Sequence, residues 1–305
     1  MMISAKRKQI LENWQLYALI LIPFAYVITF HYVPMLGLQI AFKNYSVMKG
    51  IWGSPWIGFD HFQRFFNSYD FKLVIRNTLL INLYNLLIGF PAPIVLALCL
   101  NYIRRERYKR AVQLVTYAPH FISVVVLVGI VMQLFSPMTG VLSRLIEFVV
   151  GHKINVLGEP AYFKSLYVWS GVWQNIGWGS IIYLAALSSV DPQLHEAAIV
   201  DGASKMQRIR HIDIPGILPT IVMLLILEFG KIMTVGFQKV LLLQNPMNVD
   251  ASEVIDTYVY KTGFITGMPN YSYATAIGLF KSLIGLVLII AANRIAKKVN
   301  DTSLW

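Results

Sequence analysis

The chain has 305 residues, of which 56% are hydrophobic and 13% charged, with 26 Lys and Arg against 15 Asp and Glu for a net charge of +11. So apolar a balance excludes an ordinary soluble globular surface, and cations gathered at the ends of apolar runs exclude a nucleic-acid surface in favour of membrane topology and lipid contact. A single cysteine, Cys99, excludes an intrachain disulfide and a thiolate metal site.

From the N-terminus, Lys6, Arg7 and Lys8 precede a run, 14–42, that contains no Asp, Glu, Lys or Arg. Its length, and the lack of a small-residue cleavage site after it, argue against a removable signal peptide. The next stretch carries Trp52, Trp56, Phe59, Phe62, Phe65 and Phe66 among charges, the composition of a short amphipathic helix with aromatics at headgroup level. Charge-free runs follow at 77–103, 111–143 and 165–190, each longer than the roughly 20 residues that cross a hydrocarbon core as a helix. Two more apolar stretches, about 216–242 and 271–293, are interrupted by Glu228, Lys231 and Lys281, with Lys239 near the end of the first. The runs are continuously apolar rather than alternating, so barrel strands are a poor alternative. The expectation is an all-α polytopic membrane protein with six transmembrane helices. Its parts are a segment 1–13, a first span with an external aromatic segment 14–76, a core 77–294 containing a charged loop 189–216, and a tail 295–305.

Short cytoplasmic loops hold more Lys and Arg than external ones. The dense run of Arg104, Arg105, Arg107, Lys109 and Arg110 after the second span therefore places both termini in the cytoplasm. Pro91, Pro93 and Pro119 fall inside the second and third spans, where proline bends a helix and frees carbonyls. Cys99 reads as a small packing residue, and His31 and His120 as partners in polar contacts rather than metal ligands. The Asn44, Asn270 and Asn300 sequons read as chance matches.

The loop from His195 to Pro215 is a charged amphipathic segment between two apolar spans. Asp191 and Pro192 suit a helix cap and first turn. Ala197, Ala198 and Ala203 leave a small-residue surface that a partner backbone can approach, Gly202 permits a bend, and Pro215 is expected to stop the second short helix before the fifth span. Lys205, Arg208 and Arg210 give the second half a basic side. From the residues alone, an ordinary loop and a docking surface fit equally well.

The spacing Glu196-Ala197-Ala198, then Gly202, then Ile212-Asp213-Ile214-Pro215 resembles the EAA signature of permease subunits in bacterial type I ABC importers. Ile214 stands where that family usually has Leu, a swap that keeps volume and apolarity. Further on, GFQKVLLLQNP (236–246), VIDTYVYKTG (254–263), SYATAIGLFKS (272–282) and the end Ser303-Leu304-Trp305 resemble the polysaccharide and multiple-sugar branch, with Gln238 where many relatives carry an acidic residue. The resemblance implies the type I importer fold and a cytoplasmic coupling helix, with Glu196, Ala197, Ala198, Asp201, Gly202, Ile212 and Pro215 meeting an ATPase. It also implies a second similar permease, two ATP-binding subunits that hold ATP and Mg, an extracellular solute-binding protein and a saccharide substrate, all at a bacterial plasma membrane. This chain would then bind no cofactor of its own. It contains no GxxxxGK[ST] phosphate loop, no Gly-x-Ser-x-Gly elbow and no His-Glu-x-x-His.

For a sugar path, the fourth span offers Trp169, Trp173, Gln174, Asn175, Trp178 and Tyr183. Ring faces stack on sugar C–H surfaces and amides bond hydroxyls, although the same aromatics would also serve packing or lipid contact. Glu228 and Lys231 lie three apart on the fifth span, so the expectation is a structural pair of Glu228 with Lys231 or Lys281. A lysine left over would face the path and attract an acidic sugar. Lys239 reads as a snorkelling residue near the outer end. Two other classes stay open. A secondary transporter usually shows repeated halves, and none is evident. A membrane enzyme on lipid-linked sugars would need an acid, base or metal cluster, where only Glu228 is an intramembrane carboxylate.

Overall fold

The computed structural model describes residues 13–265 and 267–300, without the side chains of 299 and 300. Lys6, Arg7, Lys8 and the Ser303-Leu304-Trp305 end lie outside the described residues. Within them the chain is helical and holds no β-strand, only an isolated bridge between Lys43 and Trp56. It divides into two compact units, Met1–Phe66 with Thr262–Leu279, and Asn67–Lys261 with Phe280–Trp305.

In the first unit, α1 (Trp14–Phe42) is a 29-residue apolar helix. It is exposed on all sides over most of its length, as expected of a helix solvated by lipid. The aromatic segment after it folds on Lys43. That residue is buried, donates from Nζ to the Ile51 carbonyl at 2.8 Å and stacks over Trp56 at 4.7 Å. The helix α2 (Asp60–Phe66) buries Phe65 and His61. Burial lowers the His61 pKa, and its Nε2 lies 3.1 Å from the Lys43 carbonyl, where a neutral ring donates. Trp52, Trp56 and Phe59 remain exposed, which suits the expected headgroup-level aromatics.

The second unit is built around α7 (Pro160–Ser188), with α3 (Tyr69–Asn101), α4 (Glu106–Phe121), α5 (Val124–Leu134) and α9 (Lys205–Gly230) against it. Between α5 and α7 the short α6 (Val141–Val150) presents an amphipathic face. One core joins Ile81, Leu127, Val131, Phe163, Leu166 and Val240. A second joins Ala97, Leu98, Tyr183, Leu187 and Ile217. Gly177 makes the closest approach possible, since a Cβ there would sit 2.1 Å from the Thr116 carbonyl oxygen.

The span count differs from the six expected. Among the described residues four helices are long and apolar enough to cross a membrane: α1, α3, α9 and the C-terminal helix (Tyr271–Asn300). A fifth is counted if α4 and α5, bent by 103°, form one broken span. The bend falls at the 3-10 turn Ala118–Phe121, which contains Pro119, in agreement with the bending expected of that proline. The remaining expected span, α7, has 29 residues, about 43 Å of helix. Ser165, Ser170, Gln174, Asn175 and Ser180 make it less apolar than the others. Gln174 and Ser180 are buried against neighbouring elements, whereas Asn175, Trp169, Trp173 and Trp178 are exposed.

Pro215 does not stop a helix as expected. A π-turn, Ile209–Asp213, precedes it and α9 runs through. The same device precedes Pro91, with a π-turn at Asn85–Gly89, and Pro34, with one at Ile28–Tyr32. Widening the helix before a proline relieves the clash with the preceding turn and rehouses the carbonyl it leaves unbonded. Cys99 is exposed rather than packed.

Candidate functional site

Two places carry the candidate residues. The first is the charged loop, where α8 (Pro192–Val200) begins as expected, Asp191 Oδ1 accepting from the Gln193 backbone N–H at 2.9 Å. None of its residues is buried, and Leu194, Ile199 and Val200 present large apolar side chains outward, Val200 at 87% exposure. Glu196, Ala197, Asp201 and Gly202 are exposed, while Ala198 and Ile212 are half-buried. Gly202 has φ +77°, the left-handed region that other residues enter at a cost. Ser204 then starts α9 with a reciprocal capping box, its hydroxyl and the Gln207 side chain each bonding the other's backbone N–H.

What anchors this exposed loop is Asp213, which is fully buried. Tyr102, at the end of α3, donates its hydroxyl to Asp213 Oδ2 at 2.7 Å. His195 Nε2 of α8 lies 3.3 Å from Oδ1. That distance suits an ion pair, but the alignment is not that of a hydrogen bond, and Oδ1 has no donor of its own. Arg208 lies over the Tyr102 ring at 5.5 Å. Burial, and then the Asp213 bond, push the Tyr102 hydroxyl up to about 12, so it remains a donor at neutral pH. One carboxylate thus ties α8, α9 and the end of α3 together. The sequence placed Asp213 within the EAA spacing, two residues before Pro215, but gave it no role.

The second place is a cavity of about 460 Å³. It brings together Gln174, Asn175, Tyr183, Glu228 and Lys231 from the expected set. Gln174 Nε2 donates to the Ile122 carbonyl at 2.9 Å, satisfying a backbone group freed beside the Pro119 bend. Asn175 Oδ1 lies 3.0 Å from His120 Nδ1. Lys231 Nζ lies 3.3 Å from Glu228 Oε1, so of the two partners expected for Glu228 it is Lys231 that pairs.

The other expected path residues lie elsewhere. Trp169 and Trp173 border a separate, almost wholly apolar cavity of about 540 Å³ with Leu134, Phe135 and Leu142. Trp169 Nε1 donates to the Tyr84 hydroxyl at 3.1 Å. Trp178 borders neither cavity and stacks on His120 at 4.5 Å between ring centroids. Their helical spacing was right, but turns of α7 face different neighbours. Lys281 is not a partner of Glu228, because it pairs with Asp256. Lys239 does not snorkel: it is 8% exposed and borders the 460 Å³ cavity. Asn82, Asn85 and Tyr167 also line it and were not singled out from the sequence, having no charge or motif to mark them.

The family of binding-protein-dependent transport system inner membrane components matches residues 89–301, and the chain belongs to it. It is a multi-pass membrane permease of the ABC importer class. Among its relatives, Protein LplB of Bacillus subtilis (strain 168) is 44% identical over 294 residues, covering 96% of this chain and 92% of that protein. The polygalacturonan/rhamnogalacturonan transport system permease protein YteP of the same organism is 43% identical over 304 residues, covering 98% and 94%. A solved bacterial ABC transporter involved in the import of the acidic polysaccharide alginate contains a chain of the same fold, with TM-score 0.89, 40% identity, and coverage of 96% of this chain and 98% of that one. A second structure of the bacterial alginate transporter, in complex with an alginate pentasaccharide-bound periplasmic protein, gives TM-score 0.89 at 39% identity, with coverage of 97% and 99%.

Proposed function

We propose that this chain forms half of the translocation path of an importer for acidic oligosaccharides, uronate-rich fragments of polysaccharides. The observation that supports this most is the polar, lysine-bearing cavity in a chain alike over nearly its whole length to permeases named for polygalacturonan and alginate. The Asn85 amide and the amide oxygens of Asn82 and Gln174 offer hydroxyl partners there, and Tyr167 offers ring surface.

In this reading both termini are cytoplasmic and a second similar permease completes the path. Two ATPase subunits, which hold ATP and Mg, receive α8, and an external binding protein delivers the sugar. Closure of the ATPases moves α8, and the Tyr102–Asp213–His195 contacts pass that motion to α9. From Asp213 to Glu228 the helix rises about 22 Å, so one rigid element links the docking segment to the cavity.

The test is uptake by the reconstituted complex in liposomes, with its binding protein, of an oligogalacturonate against a neutral glucan of equal length. ATP-dependent uptake of the oligogalacturonate is expected. Uptake of the neutral sugar alone would contradict the acidic assignment, and uptake that persists without the ATPase subunits would favour a secondary transporter.

A further inference from the structure

Lys239, in the short helix α10 (Phe237–Leu243), turns its side chain into the unit. Its Nζ donates to the Tyr167 carbonyl at 2.7 Å and sits 4.5 Å from the centroid of the Tyr167 ring. On α7, Gly171 keeps the space beside the ammonium open, because a Cβ there would lie 3.2 Å from Nζ. All three residues border the 460 Å³ cavity. An ammonium has three N–H donors, and the carbonyl uses one.

The charge of the cavity is decided by this residue. Glu228, Lys231 and Lys239 are the charged groups that line it, and the first two pair with each other. Among the described residues, the ion pairs engage Asp213, Glu228, Glu253 and Asp256, and none of them reaches Lys239. Burial lowers the Lys239 pKa to about 7, because no counter-charge supports its cationic form, and a ligand that brings a carboxylate stabilises that form.

We propose that Lys239 is the anion-recognising residue of the translocation cavity, accepting the carboxylate of one uronate unit as the chain of sugar passes. The inference rests on the acidic-saccharide reading above and adds the residue that enforces it. A single ammonium held by a carbonyl and a ring is a point contact without the bidentate grip of arginine, which suits a site that must release its ligand for the next unit.

The experiment uses the full complex in liposomes with its binding protein, comparing a trigalacturonate with its methyl ester, each at a concentration that saturates the binding protein. For Lys239→Gln, transport of the acid is expected to fall at least about tenfold while that of the ester is kept. Gly171→Ala, which crowds the ammonium without removing it, is expected to lower the acid-to-ester ratio by a smaller factor, and stands as the test if Lys239→Gln fails to assemble. An unchanged acid-to-ester ratio in an assembled variant, or an equal fall for both sugars, would overturn the assignment of Lys239. A wild-type complex that carries the ester as well as the acid would instead overturn the acidic-saccharide reading itself, before any variant is compared.

Discussion

Asp213 shows how much a single buried carboxylate organises here. Its partner Tyr102 is 111 residues away in sequence, and the contact fixes where the exposed α8 meets the bundle. Tyr102→Phe leaves Oδ2 of a fully buried acid without its donor, which costs about 1–3 kcal/mol. The thermal midpoint of the detergent-solubilised complex should fall by several degrees, and an unchanged midpoint would show that the bond carries no weight. The pH dependence has a defined sign. Because folding raises the hydroxyl from its ordinary 10.0 to about 12, this contact is intact throughout the neutral range and weakens only as pH climbs from about 10 towards 12. At this scale the sequence was partly legible. The cap of Asp191 and the bend at Gly202 follow from residue type alone, and both are present. The pairs Tyr102 with Asp213 and Lys281 with Asp256 join residues that no local spacing connects. Nor could sequence position tell that Lys239 points inward, because seven residues of α10 show no clear period.

At the scale of elements, charge-free runs located most of the helices, since a run of uncharged apolar residues has few alternatives in a bilayer. The helix α7 lies where the fourth span was expected, but its polar residues leave it less apolar than the others; the reading failed where a proline is absorbed rather than obeyed, as at Pro215. Two predictions belong to these elements. Gly177→Ala drives a methyl into the Thr116 carbonyl oxygen and forces α7 away from α4, an overpacking cost of about 1–3 kcal/mol; size-exclusion chromatography should show loss of assembled complex, and normal assembly would contradict the close packing. Pro215→Ala removes the reason for the π-turn, and reversion to regular α-helix would rotate α8 and its loop by about 100° relative to the rest of α9. Substrate-stimulated ATP hydrolysis should then drop severalfold with assembly intact. Stimulation equal to wild type would mean that the π-turn does not set the orientation of the docking segment.

At the scale of the whole molecule, the exposed apolar surfaces of α1 and α8 ask for different neighbours. The first is apolar all round and suits lipid. The second mixes Leu194, Ile199 and Val200 with Glu196 and small alanines on a nine-residue helix too short to cross a membrane. A groove on a partner protein can cover such a face, and its charges exclude a lipid interior. Family and membrane class were legible from the EAA spacing and composition, whereas which residues share a cavity required the fold, because α7 distributes its aromatics and amides among three environments. The central claim is that α8 transmits ATP-driven motion into the cavity. It is tested most directly by substrate-stimulated ATP hydrolysis of the reconstituted complex, wild type against Glu196→Lys. Since Glu196 is exposed on a helix none of whose residues is buried, the account predicts normal assembly with stimulation lost. Full stimulation in the assembled variant would contradict it.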